Sequence, residues 1–180
     1  MSFAPAILEA IQQRDERHLR DILSRIPEKD RAAQVNDLGR KGIPMLAPAA
    51  AAGVGLTAAL LEAGAAVNRR DLFGTTALHL AAAHGQASTV EKLIECGADL
   101  DPQNGDGRTP LMSAARYNRA DAVEVLLEAG ADTSLVDRQG RTAEELAIGE
   151  SQQVLVAHRE RIVLRAAADV SDQPSARRKM

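Results

Sequence analysis

Aromatic residues are nearly absent from this chain: it holds two phenylalanines, one tyrosine and no tryptophan. A core of stacked rings is therefore excluded. Whatever core forms must rest on Ala, Leu, Val and Ile, although hydrophobic residues make up 45% of the sequence. Side chains this small suit helices packed at close range. Cysteine is scarcer still, and Cys96 alone rules out an intramolecular disulfide framework. Neither sign of charge prevails. A formal net charge of -3 and a pI near 5.8 give no overall pull toward nucleic acid or an anionic membrane, though a local patch remains open. Long apolar runs are also missing: Ala47 to Leu61 falls short of the roughly 20 residues that span a bilayer and is interrupted by Pro48, Gly53 and Gly55. The opening residues Met1-Ser2-Phe3-Ala4-Pro5 carry neither the basic nor the apolar region of a secretory signal. The expectation is a soluble cytoplasmic protein with one structural unit.

Self-similarity is the strongest signal present. Gly74-Thr75-Thr76-Ala77-Leu78-His79-Leu80-Ala81-Ala82 returns 33 residues later as Gly107-Arg108-Thr109-Pro110-Leu111-Met112-Ser113-Ala114-Ala115. Val90-Glu91-Lys92-Leu93-Ile94-Glu95-Cys96-Gly97-Ala98-Asp99 returns as Val123-Glu124-Val125-Leu126-Leu127-Glu128-Ala129-Gly130-Ala131-Asp132 at the same interval. A weaker copy runs from Gly42-Ile43-Pro44-Met45-Leu46 to Leu60-Leu61-Glu62-Ala63-Gly64-Ala65. Another starts at Gly140-Arg141-Thr142-Ala143 but places Arg159 and Glu160 where Leu93 and Ile94 sit, as a polar cap would. Ile7, Ala10, Ile11, Leu19, Ile22 and Leu23 have the spacing of one helix pair without a preceding turn, which predicts an N-terminal cap.

The punctuation inside each copy has a physical reading. Thr76, Thr109 and Thr142 precede helical patterns, where a hydroxyl accepts a first-turn N–H, and Pro110 follows at the position where its missing N–H costs least. Gly53, Gly85 and Asn118 close the first helices; Gly64, Gly97 and Gly130 close the second ones. Segments such as Asp99 to Asp106 carry turn residues and predict projecting hairpin fingers. Leu78, Ala81, Ala82, Val90, Leu93 and Ile94, with Leu111, Ala114, Ala115, Val123, Leu126 and Leu127, form stripes that one repeat cannot bury alone, so stability must come from stacking.

This pattern resembles the ankyrin-repeat family, and the resemblance covers about residues 6 to 165. It implies an all-α solenoid of stacked helix-turn-helix units with projecting hairpin fingers and terminal capping helices. The expected division is 1–35 for the N-terminal capping pair and a charged insertion, 36–165 for the array with its degenerate C-terminal cap, and 166–180 for a disordered tail. The insertion is Ser24 to Arg31, with Pro27 and five charged residues.

No stretch assembles a catalytic centre. Gly53-Val54-Gly55 lacks the third glycine, the following Lys and the preceding strand of a phosphate loop, and reads as an inter-helix turn. His79 and His84 lie about 140° apart round a helix and cannot share a metal. The resemblance gives His79 the role of bracing neighbouring turns and leaves His84 exposed. Asp99, Asp101 and Asp106 lack the glycine and closing glutamate of a calcium loop. Cys96 has no basic or His neighbour beside it. Glu144 and Glu145 are adjacent, so they point in different directions and read as capping-turn charges. No catalytic residue, metal or cofactor is expected.

Ankyrin-like arrays bind partners through finger tips and the exposed side of the first helices. The matching positions are Arg70, Leu72, Phe73, Thr75, Ala83 and His84; Gln103, Asp106, Arg108, Arg116 and Tyr117; then Val136, Arg138, Gln139 and Arg141, with Leu38, Arg40 and Lys41 continuing the row. Two of the three aromatics fall in this set, and aromatics with Arg dominate binding hot spots. Glu62, Glu91, Glu95, Glu124 and Glu128 lie on second helices instead. The expectation is a protein-binding module, monomeric without its partner and not an enzyme, meeting a protein with an acidic surface. Its specific version is an inhibitor or immunity-type protein that acts by occupancy; the alternative is a scaffold or accessory subunit. From another class, an enzyme or a nucleic-acid binder using Arg69, Arg70, Arg108, Arg116, Arg138 and Arg141 stays open.

Overall fold

The computed structural model describes residues 3–36 and 43–171. The described residues form helices joined by turns, without a β-strand. In order they are α1 (Ala4–Gln12), α2 (Glu16–Arg25), α3 (Glu28–Val35), α4 (Leu46–Ala52), α5 (Val54–Glu62), α6 (Ala77–His84), α7 (Ala87–Glu95), α8 (Pro110–Arg116), α9 (Ala120–Glu128), α10 (Ala143–Leu146) and α11 (Gly149–Ser171). Each of α4/α5, α6/α7, α8/α9 and α10/α11 is a helix pair, and equivalent helices stack on one another. The first helices make one row and the second helices another, with α1 and α2 covering the N-terminal end. The protein is an all-α repeat solenoid.

Alanine sets the spacing of the first row. Ala49, Ala50, Ala81, Ala82, Ala114 and Ala115 are completely buried, so the backbones of α4, α6 and α8 approach with only methyl groups between them. Branched side chains fill the second row, where Leu60, Val90, Leu93, Val123 and Leu126 are equally buried. Burying a Leu or Val side chain contributes roughly 1.5–3 kcal/mol, and no single pair encloses these residues alone. Ile94 is only partly covered. All six residues read as the N-terminal cap, Ile7, Ala10, Ile11, Leu19, Ile22 and Leu23, are buried.

The helix starts fall where the threonines stand. Thr109 Oγ1 accepts the Met112 N–H at 3.3 Å, and Thr142 Oγ1 accepts that of Glu145 at 3.4 Å. Glu145 returns the bond to the Thr142 N–H at 2.7 Å, which makes it a capping residue. Its neighbour Glu144 pairs with Arg159 at 2.6 Å, tying α10 to α11. The helix ends fall where Gly and Asn stand: Gly85 has φ +71°, Gly97 +82° and Asn118 +54°.

Two segments differ from the sequence reading. Ser24 and Arg25 complete α2, Pro27 caps α3, and Glu28 onward is helical, so the charged insertion is the start of a third N-terminal helix anchored by buried Val35. At the other end α11 continues to Ser171, so residues 166–171, assigned to the tail, are helical. That run has no Gly or Pro to stop it, and Ala166, Ala167 and Ala168 favour helix. Residues 172–180 of the tail, and Leu38, Arg40 and Lys41, lie outside the described residues.

Candidate functional site

The fingers are built by one device repeated at 33-residue spacing. Asp71 Oδ1 accepts the N–H groups of Phe73 and Thr75, Asn104 Oδ1 those of Asp106 and Arg108, and Asp137 Oδ1 those of Gln139 and Arg141. Each side chain closes its own turn. Adjacent fingers are then linked: the Gly105 N–H donates to the Phe73 carbonyl at 2.7 Å, and the Arg138 N–H to the Asp106 carbonyl at 3.0 Å. A Cβ on Gly105 would sit 3.1 Å from that carbonyl oxygen, a tight contact, yet Arg138 makes the equivalent bond with a side chain in place.

His79 ties the second finger to the helix row. Its Nε2 faces the Arg108 carbonyl at 2.9 Å, which obliges that nitrogen to donate, and Nδ1 is then free to accept the Thr76 N–H at 3.2 Å. Burial is the first cause that holds its pKa below the ordinary histidine value. The histidine is a structural brace, as the resemblance implied. His84 is exposed on the same helix, with Nδ1 against the Leu80 carbonyl at 2.9 Å.

A further joint links the second helices. Asn36 and Asn68 each donate Nδ2–H to a helix-ending carbonyl of the next repeat, Gly64 at 2.8 Å and Gly97 at 3.1 Å. Each also accepts a backbone N–H, from Ala66 and Asp99. At the third such position stands Asp101, which accepts the Asp132 N–H at 3.1 Å but has no amide to offer Gly130.

The residues expected to meet a partner divide into two groups. Leu72 and Phe73, on the first described finger, are 79% and 75% exposed, and Tyr117 at the end of α8 is 55% exposed. Arg116, Arg138, Gln139 and Val136 are exposed as well. The second group is engaged within the molecule. Arg70 donates to the Gln103 carbonyl and Gln103 to the Val136 carbonyl, so these two bridge successive fingers. Arg108 pairs with Asp106 at 3.1 Å and lies 3.9 Å from Asp137. Arg141 grips Asp137 at 2.7 Å and Gln139 at 2.8 Å. The Arg141 guanidinium and the two backbone N–H groups hold the covered Asp137 carboxyl down at about 2.

Between α6, α8 and the second finger lies a cleft of about 490 Å³ that brings together Thr75, His84, Asp106, Arg108, Arg116 and Tyr117 from the expected set. Leu72 and Phe73 stand outside it, on the finger. Arg119, which the sequence reading passed over, lines it too. The left-handed turn at Asn118 reverses the chain there, and Arg119 Nε reaches back to the Ala83 carbonyl at 3.1 Å. Asp137 was also passed over, although its 33-residue interval from Asp71 and Asn104 is visible in the sequence. On the second helices Glu62, Glu91, Glu95, Glu124 and Glu128 are exposed. Cys96 is a free, exposed thiol at the end of α7. Gly53 and Gly55 belong to the α4–α5 junction, where the Glu16 side chain lies against Gly55.

Helix pairs stacked in two rows, with hydrogen-bonded fingers along one edge, define a repeat solenoid. Residues 45–137 and 87–158 match the model of ankyrin repeats in three copies, more than half of the sequence, and the chain belongs to the ankyrin-repeat family. Among curated proteins none matches the sequence. Ankyrin repeats generally serve as protein–protein interaction modules. No helix among the described residues is long and apolar enough to cross a membrane.

Proposed function

We propose that this protein is a non-enzymatic binding module that grips a protein partner along its fingers and first helices. The observation that carries this reading is the exposure of Leu72, Phe73 and Tyr117 in a chain with only three aromatics. Two rings kept from the core are kept at the positions where an array of this family meets its partners. Their rigid supports favour recognition over adaptation, because the fingers are hydrogen-bonded to one another and to His79. The arginines of the same edge favour a partner with an acidic surface. A rigid groove of this kind favours action by occupancy, as an inhibitor or immunity-type protein in the cytoplasm, monomeric until the partner arrives.

The test is replacement of Phe73 and Tyr117 together by Ala. Once affinity capture and mass spectrometry have identified a partner, titration calorimetry should show binding weakened by about 2 kcal/mol or more, with the melting temperature little changed. Full affinity in a folded double variant would place the binding surface elsewhere.

A further inference from the structure

Resting on the reading that this groove binds a protein, we propose that the α6–α8 cleft takes an extended acidic segment, seating one apolar side chain beside Tyr117 and its carboxylates against Arg116 and Arg119. The cleft has two kinds of wall. Leu80, Ala83 and the Tyr117 ring supply apolar surface, while Arg108, Arg116 and Arg119 supply charge. Its one carboxylate, Asp106, is already paired with Arg108 at 3.1 Å. Arg116 and Arg119 have no ion pair among the described residues, so their charges stand open to whatever enters.

Arg119 is also held in place before any partner arrives. Its Nε donates to the Ala83 carbonyl at 3.1 Å, and its stem covers Gly85 so closely that a Cβ there would lie 2.8 Å from Arg119 Cδ. That contact occupies one nitrogen and leaves the outer face of the guanidinium for a carboxylate, which it meets in bidentate fashion. A cleft of about 490 Å³ between the helix row and the finger has room for an extended strand with one inserted side chain. The acidic second-helix row disfavours the same segment on the other side of the molecule, where Glu91, Glu95, Glu124 and Glu128 are exposed. A net charge of -3 thus conceals a cationic cleft, and attraction into it weakens with added salt.

The probe is a fluorescein-labelled peptide of glutamates flanking a central leucine, compared by anisotropy with its lysine counterpart and with a version carrying glycine at the centre. Wild-type protein should bind the acidic leucine peptide best, lose affinity as salt is raised, and bind the glycine version more weakly. Arg116→Glu with Arg119→Glu should lower affinity at least about tenfold, and the milder Arg116→Gln with Arg119→Gln should lower it less, with helicity unchanged in both. Equal binding of acidic and lysine peptides, or full affinity in the folded glutamate variant, overturns the proposal. The natural partner separates this failure from that of the broader reading. Loss of binding in the Phe73 and Tyr117 double variant but not in the arginine variants removes only the acidic segment; full binding in all of them removes the groove.

Discussion

His79 and Met112 occupy equivalent places in successive repeats, and both are buried, yet only the histidine brings a titration with it. Burial holds its ring neutral, with Nδ1 accepting the Thr76 N–H, while the Nε2–H bond to the Arg108 carbonyl works the other way. Burial outweighs the nearby Asp71, and Arg70 adds to the lowering, so the folded pKa lies below the unfolded value of 6.5. The unfolded chain then takes up a proton first on acidification. This contribution to stability is complete above 6.5 and is lost as pH falls through the folded value. Melting temperatures should therefore drop between pH 7 and 5, and His79→Met, borrowing the side chain of the next repeat, should flatten that part of the profile. A profile as steep in the variant would assign the effect to other groups. Gly97 poses a purely backbone question: its φ is +82° and a Cβ would meet nothing within 4 Å. Gly97→Val should cost about 1 kcal/mol or more through strain alone, read as a lower thermal midpoint.

Among the elements, α11 departs furthest from its counterparts. Leu155 is buried against the array, but residues 161–165 are exposed, Ile162, Val163 and Leu164 among them. Removing residues 170 to 180 should leave helicity and the melting transition nearly unchanged; a large loss would mean that the C-terminal residues dock on the last repeat. The repeat helices were legible because their limits depend on local chemistry: Thr76, Thr109 and Thr142 at the starts, Gly85, Asn118 and Gly97 at the ends. The end of α11 was not, since it lacks such a stop signal. Helix α3 was missed because it carries charge where the pattern led one to expect a finger, and a single buried Val35 gives little periodicity to detect. Exposure of Phe73 and Tyr117 was legible from their place outside the apolar stripes. The commitment of Arg108 and Arg141 to Asp137 was not, because ion pairing depends on which way a side chain turns once the fingers are stacked.

On the scale of the whole molecule, stability is a chain of joints between neighbours, and the joints are unequal. Where Asn36 and Asn68 hold the next repeat with both a donor and an acceptor, Asp101 holds it with an acceptor only. Its folded pKa is raised by burial, which outweighs the lowering bond from the Asp132 N–H, so the anion present at neutral pH is disfavoured in the folded state. The sign is opposite to that of His79: this penalty is relieved as pH falls through the raised value, when the carboxyl gains a proton and with it a donor. Asp101→Asn should supply that donor at every pH and stabilise the protein by about 0.5–1.5 kcal/mol in denaturant titrations. The joint between the α6/α7 and α8/α9 repeats is thereby expected to be the weaker one. At neutral pH the amides of α8 and α9 should exchange with solvent deuterium sooner than those of α6 and α7, and in Asp101→Asn the interval between them should narrow, so that the repeats beyond this joint leave the stack together with their neighbours instead of ahead of them.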